Sequence, residues 1–175
     1  MKRIVLVLAI ALIPVALFAQ VQVGGTALYN IPYFDSDRPS ELDPSDFTFG
    51  ADARFKVFVF QATGLALFTP GYTDALGNPV PGNVDLHVDG GLSFDVLLFR
   101  LGLGLGPSFR FGLAPDAAAN NVGLNVKATA DVMLGDFAVG LTYLNQFALD
   151  LADADQLLDQ DYSQGLLGVS VLFQL

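Results

Sequence analysis

Residues 46–57 read DFTFGADARFKV, and apolar and polar positions alternate along the segment. One parity holds phenylalanine, alanine and valine, whereas the other includes the charged residues Asp52, Arg54 and Lys56. Successive side chains of a β-strand point to opposite faces, so this spacing predicts a strand with one apolar face and one charged face.

The same period of two recurs along the chain, most clearly at 84–96, 99–111 and 122–132. It is poorest at 58–69, because Leu65 and Leu67 fall on the polar parity. We predict eight strands, at residues 20–31, 46–56, 58–69, 84–96, 98–112, 122–133, 136–148 and 162–175. Tight connections alternate with long ones, and the long ones lie at 32–45, 70–83, 113–121 and 149–161.

The first nineteen residues have the pattern of a secretory signal peptide. Lys2 and Arg3 precede an apolar stretch at 4–18, and Ala19 ends it with a small residue. We predict cleavage after Ala19, which divides the chain into a signal peptide at 1–19 and an outer-membrane β-barrel domain at 20–175. An uncleaved membrane anchor is the alternative, but the stretch is short for a spanning helix, which needs about 20 apolar residues.

Composition excludes several classes of site and partner. The chain has no cysteine, so disulfides, thiolate metal sites and a lipidated N-terminal cysteine are excluded. Removal of Lys2 and Arg3 with the signal peptide leaves six basic residues against eighteen acidic ones, a net charge of −12. Nucleic acid is not an expected partner, because phosphate binding needs a basic surface.

The predicted strands are long enough to cross a bilayer. Each has roughly 10 to 13 residues, whereas globular strands average about 5–6 and a tilted spanning strand needs about 9–11. An even strand number with alternating short and long connections is typical of outer-membrane barrels, in which closure pairs every backbone amide. The predicted fold is therefore all-β, an eight-stranded antiparallel up-and-down transmembrane β-barrel preceded by a cleaved signal peptide.

Most charged residues of the predicted strands fall on the polar parity, with five basic and five acidic members. An eight-stranded barrel has an interior just wide enough for side chains, and charges enclosed there must pair. The predicted lumen charge network, a structural rather than a catalytic site, consists of Asp52, Arg54, Lys56, Asp85, His87, Asp89, Asp95, Arg100, Arg110, Lys127 and Asp131.

A soluble, secreted lipocalin-like barrel is the alternative with the apolar face inside. The apolar parity carries too many phenylalanine, leucine and valine residues for one small cavity, and the charges on the other parity balance. The lipocalin G-x-W signature is impossible because the chain has no tryptophan. These features favour a barrel whose apolar face contacts lipid and whose charged side chains point into the lumen.

Aromatic residues on the apolar parity are expected near the two membrane interfaces. One set falls near the outer strand ends and comprises Phe47, Tyr72, Phe109, Phe111, Tyr143, Phe147 and Tyr162. The other set falls near the periplasmic ends and comprises Phe55, Phe60, Phe99, Phe137 and Phe173.

Over its mature length the chain resembles the superfamily of small outer-membrane barrels typified by the transmembrane domain of OmpA and by OmpX. The alternating strands carry the resemblance, together with a last strand whose outward residues are Leu167, Val169, Val171, Phe173 and Leu175. The family's last strand signals barrel assembly and usually ends in an aromatic residue, whereas here Phe173 lies two positions early. The resemblance implies the bacterial outer membrane as location, its lipid as surroundings and the barrel-assembly machinery as partner in biogenesis. It does not imply one activity.

His87 is the only histidine, with Asp85 and Asp89 two positions away and Ser93 on the same strand face. Such a set could support nucleophilic hydrolysis. However, six residues of strand place Ser93 about 20 Å from His87. We therefore predict that His87 belongs to the lumen network and that the chain has no catalytic residues.

Acidic residues cluster in the first and last long connections: Asp35, Asp37, Glu41, Asp43, Asp150, Asp153, Asp155, Asp159 and Asp161. Carboxylates of this kind bind Ca²⁺ in some proteins, but the D-x-[DN]-x-[DN]-G spacing is missing. We expect a solvated anionic surface and neither a metal nor a cofactor. The glycines at 102, 104 and 106 lie inside a strand and lack the following helix and lysine of a nucleotide loop.

The sequence thus predicts a non-enzymatic outer-membrane barrel with a lumen plugged by charges. Its role would be structural, or surface interaction through acidic extracellular loops, and the extracellular ligand is unknown. The alternatives are a narrow pore or small-molecule conduit, a secreted lipocalin-like binder and a lipid-modifying enzyme.

Overall fold

Eight long antiparallel strands form a closed barrel in a computed structural model that describes residues 19–31, 47–73, 77–114, 121–148 and 165–175. In chain order the strands are β1 (Ala19–Ile31), β2 (Phe47–Val57), β3 (Phe60–Thr69), β4 (Tyr72–Thr73), β5 (Pro79–Val80), β6 (Asn83–Val96), β7 (Phe99–Gly112), β8 (Asn121–Leu134), β9 (Phe137–Ala148) and β10 (Gly165–Gln174). Around the barrel their order is β1-β10-β9-β8-β7-β6-β3-β2.

The predicted eight-stranded antiparallel barrel is confirmed. All eight predicted strands are present, and their ends within the described residues agree with prediction to within two positions. The short ladder between β4 and β5 was not predicted. No helix among the described residues is long and apolar enough to cross a membrane.

Several predictions fall on residues that the structure does not describe. They concern residues 1–18 of the predicted signal peptide at 1–19, the acidic connections at 32–45 and 149–161, and Tyr162. Strand β1 already includes Ala19, the residue predicted to precede the cleavage site. Cleavage after Ala19 and the division at 19 and 20 stay predictions.

The strand register gives the barrel a defined stagger. Register partners can be followed from Gly24 of β1 around the barrel in both directions until they meet on β9. In one direction, through β2, β3, β6, β7 and β8, they lead to Ala148. In the other direction, through β10, they lead to Ala138. The two paths thus end ten residues apart on the same strand, which requires strands tilted by about 40°. At about 3.3 Å per residue, an eleven-residue strand such as β2 then spans about 28 Å along the barrel axis, close to the thickness of the hydrocarbon core of a bilayer.

The alternation in the sequence sorts side chains between the wall and the lumen. In β2, Phe49, Ala51, Ala53 and Phe55 are exposed on the outside. The intervening Asp52, Arg54 and Lys56 are buried inside. The same division holds along the clearly alternating parts of the other strands, so the barrel has an apolar outer wall and a largely polar lumen.

Three tight turns connect β2 to β3, β6 to β7 and β8 to β9, and we call this end of the barrel the turn end. We call the opposite end, which carries the long connections, the loop end. Two of the turns place large residues at positive φ, with Phe58 at 55° and Leu97 at 57°, whereas the third has Gly135 at 68°. Left-handed backbone brings Cβ close to a carbonyl oxygen and costs an L-residue roughly 1–2 kcal/mol, so two of the turns are strained.

We expect Leu97→Gly to raise the free energy of unfolding by about 1 kcal/mol, because glycine removes the Cβ strain. The Leu97 side chain is 95% exposed and makes little packing within the chain. Urea unfolding of the refolded barrel in micelles, followed by circular dichroism, measures the change. The neighbouring Leu98 lies outside the positive-φ region, so Leu98→Gly is expected to lower stability by roughly 0.5–1 kcal/mol. Equal effects of the two substitutions would contradict the strain argument.

Candidate functional site

The centre of the lumen holds four charged side chains in mutual contact. Arg54 donates from Nη2 to Asp52 at 2.8 Å and from Nη1 to Asp131 at 2.6 Å. Lys127 Nζ lies 2.9 Å from Oδ2 of Asp52. Strands β2 and β8 are separated by three strands in either direction around the barrel, so the Arg54–Asp131 and Lys127–Asp52 pairs cross the diameter of the lumen. None of the four residues is more than 2% exposed.

A second group of ion pairs lies near the turn end. Asp95 accepts from Lys56 Nζ and from Arg100 Nε, both at 2.6 Å. Arg100 also donates from Nη2 to Gln20 of β1. Lys56 and Arg100 are buried, whereas the Asp95 side chain is 39% exposed. Water therefore reaches this group from the turn end but does not surround it.

A third group lies at the loop end. Arg110 donates from Nε and Nη2 to the two carboxylate oxygens of Asp85, at 2.8 and 2.9 Å, and from Nη2 to Gln146 at 2.8 Å. Gln146 Nε2 lies 2.8 Å from His87 Nε2. Asp85, Arg110 and Gln146 also line a cavity of about 420 Å³. The Arg110 side chain is 51% exposed, so this ion pair is the best solvated of the three groups.

Nine of the eleven residues of the predicted lumen network form direct ion pairs, and the other two are His87 and Asp89. Both are buried and hydrogen-bond to amide side chains. His87 contacts Gln146, and Asp89 accepts from Nδ2 of Asn125. Neither amide partner was singled out in the sequence.

The lumen also contains an apolar cluster that the sequence did not predict. Leu28, Leu65, Leu67 and Leu144 are each at most 2% exposed, and Leu166 packs against them. They come from β1, β3, β9 and β10, so they line one side of the barrel. Leu65 pairs in register with Asp52, and Leu144 with Lys127, which places the cluster directly beside the central ion pairs. The signal for it was the pair of leucines on the polar parity of 58–69.

The described residues do not bring together a set of catalytic groups around His87. Its Nε2 is engaged by Gln146, and Oγ of Ser93 has no hydrogen-bond partner in the structure. The histidine and the serine therefore do not contact each other. Among the described ranges, no group of three or more histidine and carboxylate side chains is placed to hold a metal ion.

The aromatic residues predicted at the two barrel ends lie mostly on the outer wall. All five of the periplasmic set are between 41% and 67% exposed, and Phe137 and Phe173 pack edge to face at 5.3 Å. At the loop end, Phe147 is only 8% exposed although its parity is outward.

Comparisons with known proteins add a likeness of fold. No protein-family model matches the chain, and no curated protein matches it. Among solved structures, it is similar to Ail, the attachment invasion locus protein of Yersinia pestis, with 13% identity and a TM-score of 0.46 over 90% of this chain and 97% of that chain. A similarity at this level carries no inference about function. The closed eight-stranded architecture is the one that the sequence predicts.

Proposed function

We propose that the chain is an integral, non-enzymatic protein of the bacterial outer membrane, with a lumen closed to ions and a structural or surface-interaction role. The observation that carries the proposal is the outer wall. Large apolar side chains stand exposed on all eight barrel strands, for example Leu101, Leu103 and Leu105 of β7 at 50–61%. Soluble monomers rarely expose apolar patches above a few hundred Å², so lipid is the surroundings that this wall fits.

The polarity of the wall also weighs against the lipocalin-like alternative. A soluble barrel would turn its charges to water and its phenylalanines inward. Here Arg54, Arg100 and Lys127 are each 2% exposed, whereas Phe60, Phe94 and Phe99 are more than half exposed.

Two features of the lumen support closure to ions. The Arg54–Asp131 and Lys127–Asp52 pairs join opposite walls, so an ion that passes must separate them. Separating one partner from a buried pair costs about 3–5 kcal/mol. The adjacent leucine cluster offers a passing ion no ligand to replace its water. The same two features disfavour a narrow pore.

We infer how the protein is exported and assembled from its predicted signal peptide and its last strand. The predicted signal peptide indicates passage to the periplasm, and the last strand presents Leu167, Val169, Val171 and Phe173 on the outer wall at 40–51% exposure. This strand is the segment through which the barrel-assembly machinery is expected to act. The turn end would then face the periplasm. The long acidic connections would be exposed at the cell surface and would interact there with an unknown partner.

Cell fractionation and conductance test the proposal together. We expect the protein in the outer-membrane fraction, with a gel mobility that shifts on heating, and only leak current from refolded protein in planar bilayers. A freely soluble periplasmic product would overturn the membrane location. Steady channels would favour the pore alternative. A changed lipid profile in cells that carry His87→Ala would favour the lipid-modifying enzyme.

We expect Leu105→Arg to lower the free energy of unfolding in lipid vesicles by about 2–4 kcal/mol, the cost of a lipid-facing arginine at the bilayer midplane. Leu105 lies near the middle of β7 and faces outward. Urea unfolding from vesicles measures the change. The matched control is Leu97→Arg in a turn, where the cost falls to about 0–1 kcal/mol near the interface. Equal losses at both positions would argue against lipid at the wall.

A further inference from the structure

A small cavity lies inside the wall where β3, β6, β7 and β8 run side by side. Its volume is about 10 Å³. Gly91, Gly102 and Gly104 line it without side chains, and polar groups are contributed by Asp89, Lys127, Thr129, Gln61 and Thr63. One buried water molecule needs roughly 10–15 Å³ and two to four polar partners, so the cavity is of the size and chemistry for a single water.

Two of the residues that line this cavity each have a buried polar atom without a hydrogen-bond partner in the protein. These atoms are Oδ2 of Asp89 and Oγ1 of Thr129, in residues that are 2% and 7% exposed. A third group, the ammonium of Lys127, carries three N–H donors, and its hydrogen bond to Asp52 uses one of them. The three groups come from strands β6 and β8, on either side of the glycines of β7.

We propose that this cavity is a binding site for one structural water molecule that bridges Lys127 to Asp89. The water accepts from Nζ of Lys127 and donates to Oδ2 of Asp89, and the hydroxyl of Thr129 supplies its third partner. Three hydrogen bonds are typical of a buried water. A cation is disfavoured by the ammonium and an anion by the carboxylate, whereas a neutral dipole satisfies both.

The bridge explains how the charges of the lumen balance. Asp89 is the one acid of the predicted network for which the described residues supply no direct ion pair. Through the water it is linked to Lys127 and from there to Asp52 and Arg54. All five basic and five acidic side chains then belong to paired groups, as a low-dielectric interior requires.

A high-resolution crystal structure of the refolded mature protein tests the proposal. We expect a density peak within about 2.6–3.2 Å of Lys127 Nζ, Asp89 Oδ2 and Thr129 Oγ1. Thr129→Val keeps the volume and removes one of the three partners, so the peak should weaken or disappear. Ser93→Ala is the matched control, because Ser93 also has a buried hydroxyl without a partner but does not line the cavity, and the peak should persist.

An empty cavity in the unsubstituted protein would overturn the proposal. So would a direct Lys127–Asp89 contact, a peak unchanged in Thr129→Val, or oxygen distances short enough to assign a cation. If Thr129→Val does not refold, water-to-side-chain cross-relaxation at Lys127 and Thr129 in micelles gives the same test without a variant. Cross-relaxation at these two side chains would support the bound water, and the lack of cross-relaxation would contradict the proposal.

Discussion

Arg54→Ala is expected to lower the free energy of unfolding by about 3–5 kcal/mol, the range for breaking a buried ion pair. The guanidinium is shared by Asp52 and Asp131, and both carboxylates stay buried when it is removed. Asp52 keeps Lys127 as a partner, whereas Asp131 is left without an ion pair among the described residues. Urea unfolding in micelles followed by far-ultraviolet circular dichroism measures the loss, because the chain has no tryptophan for fluorescence.

Arg110→Ala is the matched control for this prediction. Arg110 also binds a carboxylate through two nitrogens, but its side chain is 51% exposed. The Asp85 side chain is only 3% exposed, but water can reach its carboxylate once the half-exposed guanidinium is removed, so we expect a smaller loss than for Arg54→Ala. Adding Asp131→Asn to Arg54→Ala should recover part of the loss, because it removes the unpaired charge. A loss in Arg54→Ala no larger than in Arg110→Ala would show that water reaches the central ion pairs.

The barrel could be predicted because the alternation of apolar and polar residues along a strand indicates which face of the sheet each side chain occupies. In 46–57 the apolar and charged parities are separated without exception, and the strand lengths match a membrane rather than a globular sheet. Where both strand ends fall on described residues, they followed from the same pattern to within two residues. Neither inference needs to know which strands are neighbours.

The pairing of charges across the lumen could not be predicted in the same way. Parity places Arg54 and Asp131 inside, but their contact depends on the stagger of the strands and on β2 and β8 lying opposite each other. Those properties arise only when the sheet closes. The same holds for Asp89, whose amide partner Asn125 lies two strands away around the barrel.

The strained turns and the leucine cluster could not be predicted from the sequence, for different reasons. Positive φ at Phe58 and Leu97 contradicts the local preference of both residues, so only the coordinates reveal it. Leu65 and Leu67 did break the charged parity, but a single strand cannot show whether such residues mark a register error or an apolar patch. The packing of Leu28 and Leu144 against them decides for an apolar patch.

The second large effect is expected for Leu65→Ala, which should lower the free energy of unfolding by about 2–5 kcal/mol. Leu65 is 2% exposed and packs inside the leucine cluster, so its truncation leaves a cavity in the lumen. Leu101→Ala on the outer wall loses lipid contact but creates no internal cavity, because lipid chains rearrange, and we expect a smaller loss of about 1 kcal/mol. Similar losses at the two positions would contradict the internal packing.

The conductance of Leu65→Ala shows whether the leucine cluster or the ion pairs keep ions out of the lumen. Truncation of Leu65 opens space on one side, but the Arg54–Asp131 pair still joins opposite walls. Leu65→Ala refolded into planar bilayers should therefore give leak current only, like the unsubstituted protein. Steady channels would mean that the leucine cluster, and not the ion pairs, keeps ions out. The lumen would then be closed by exclusion of water from an apolar constriction, and charge pairing would serve only to stabilise the barrel.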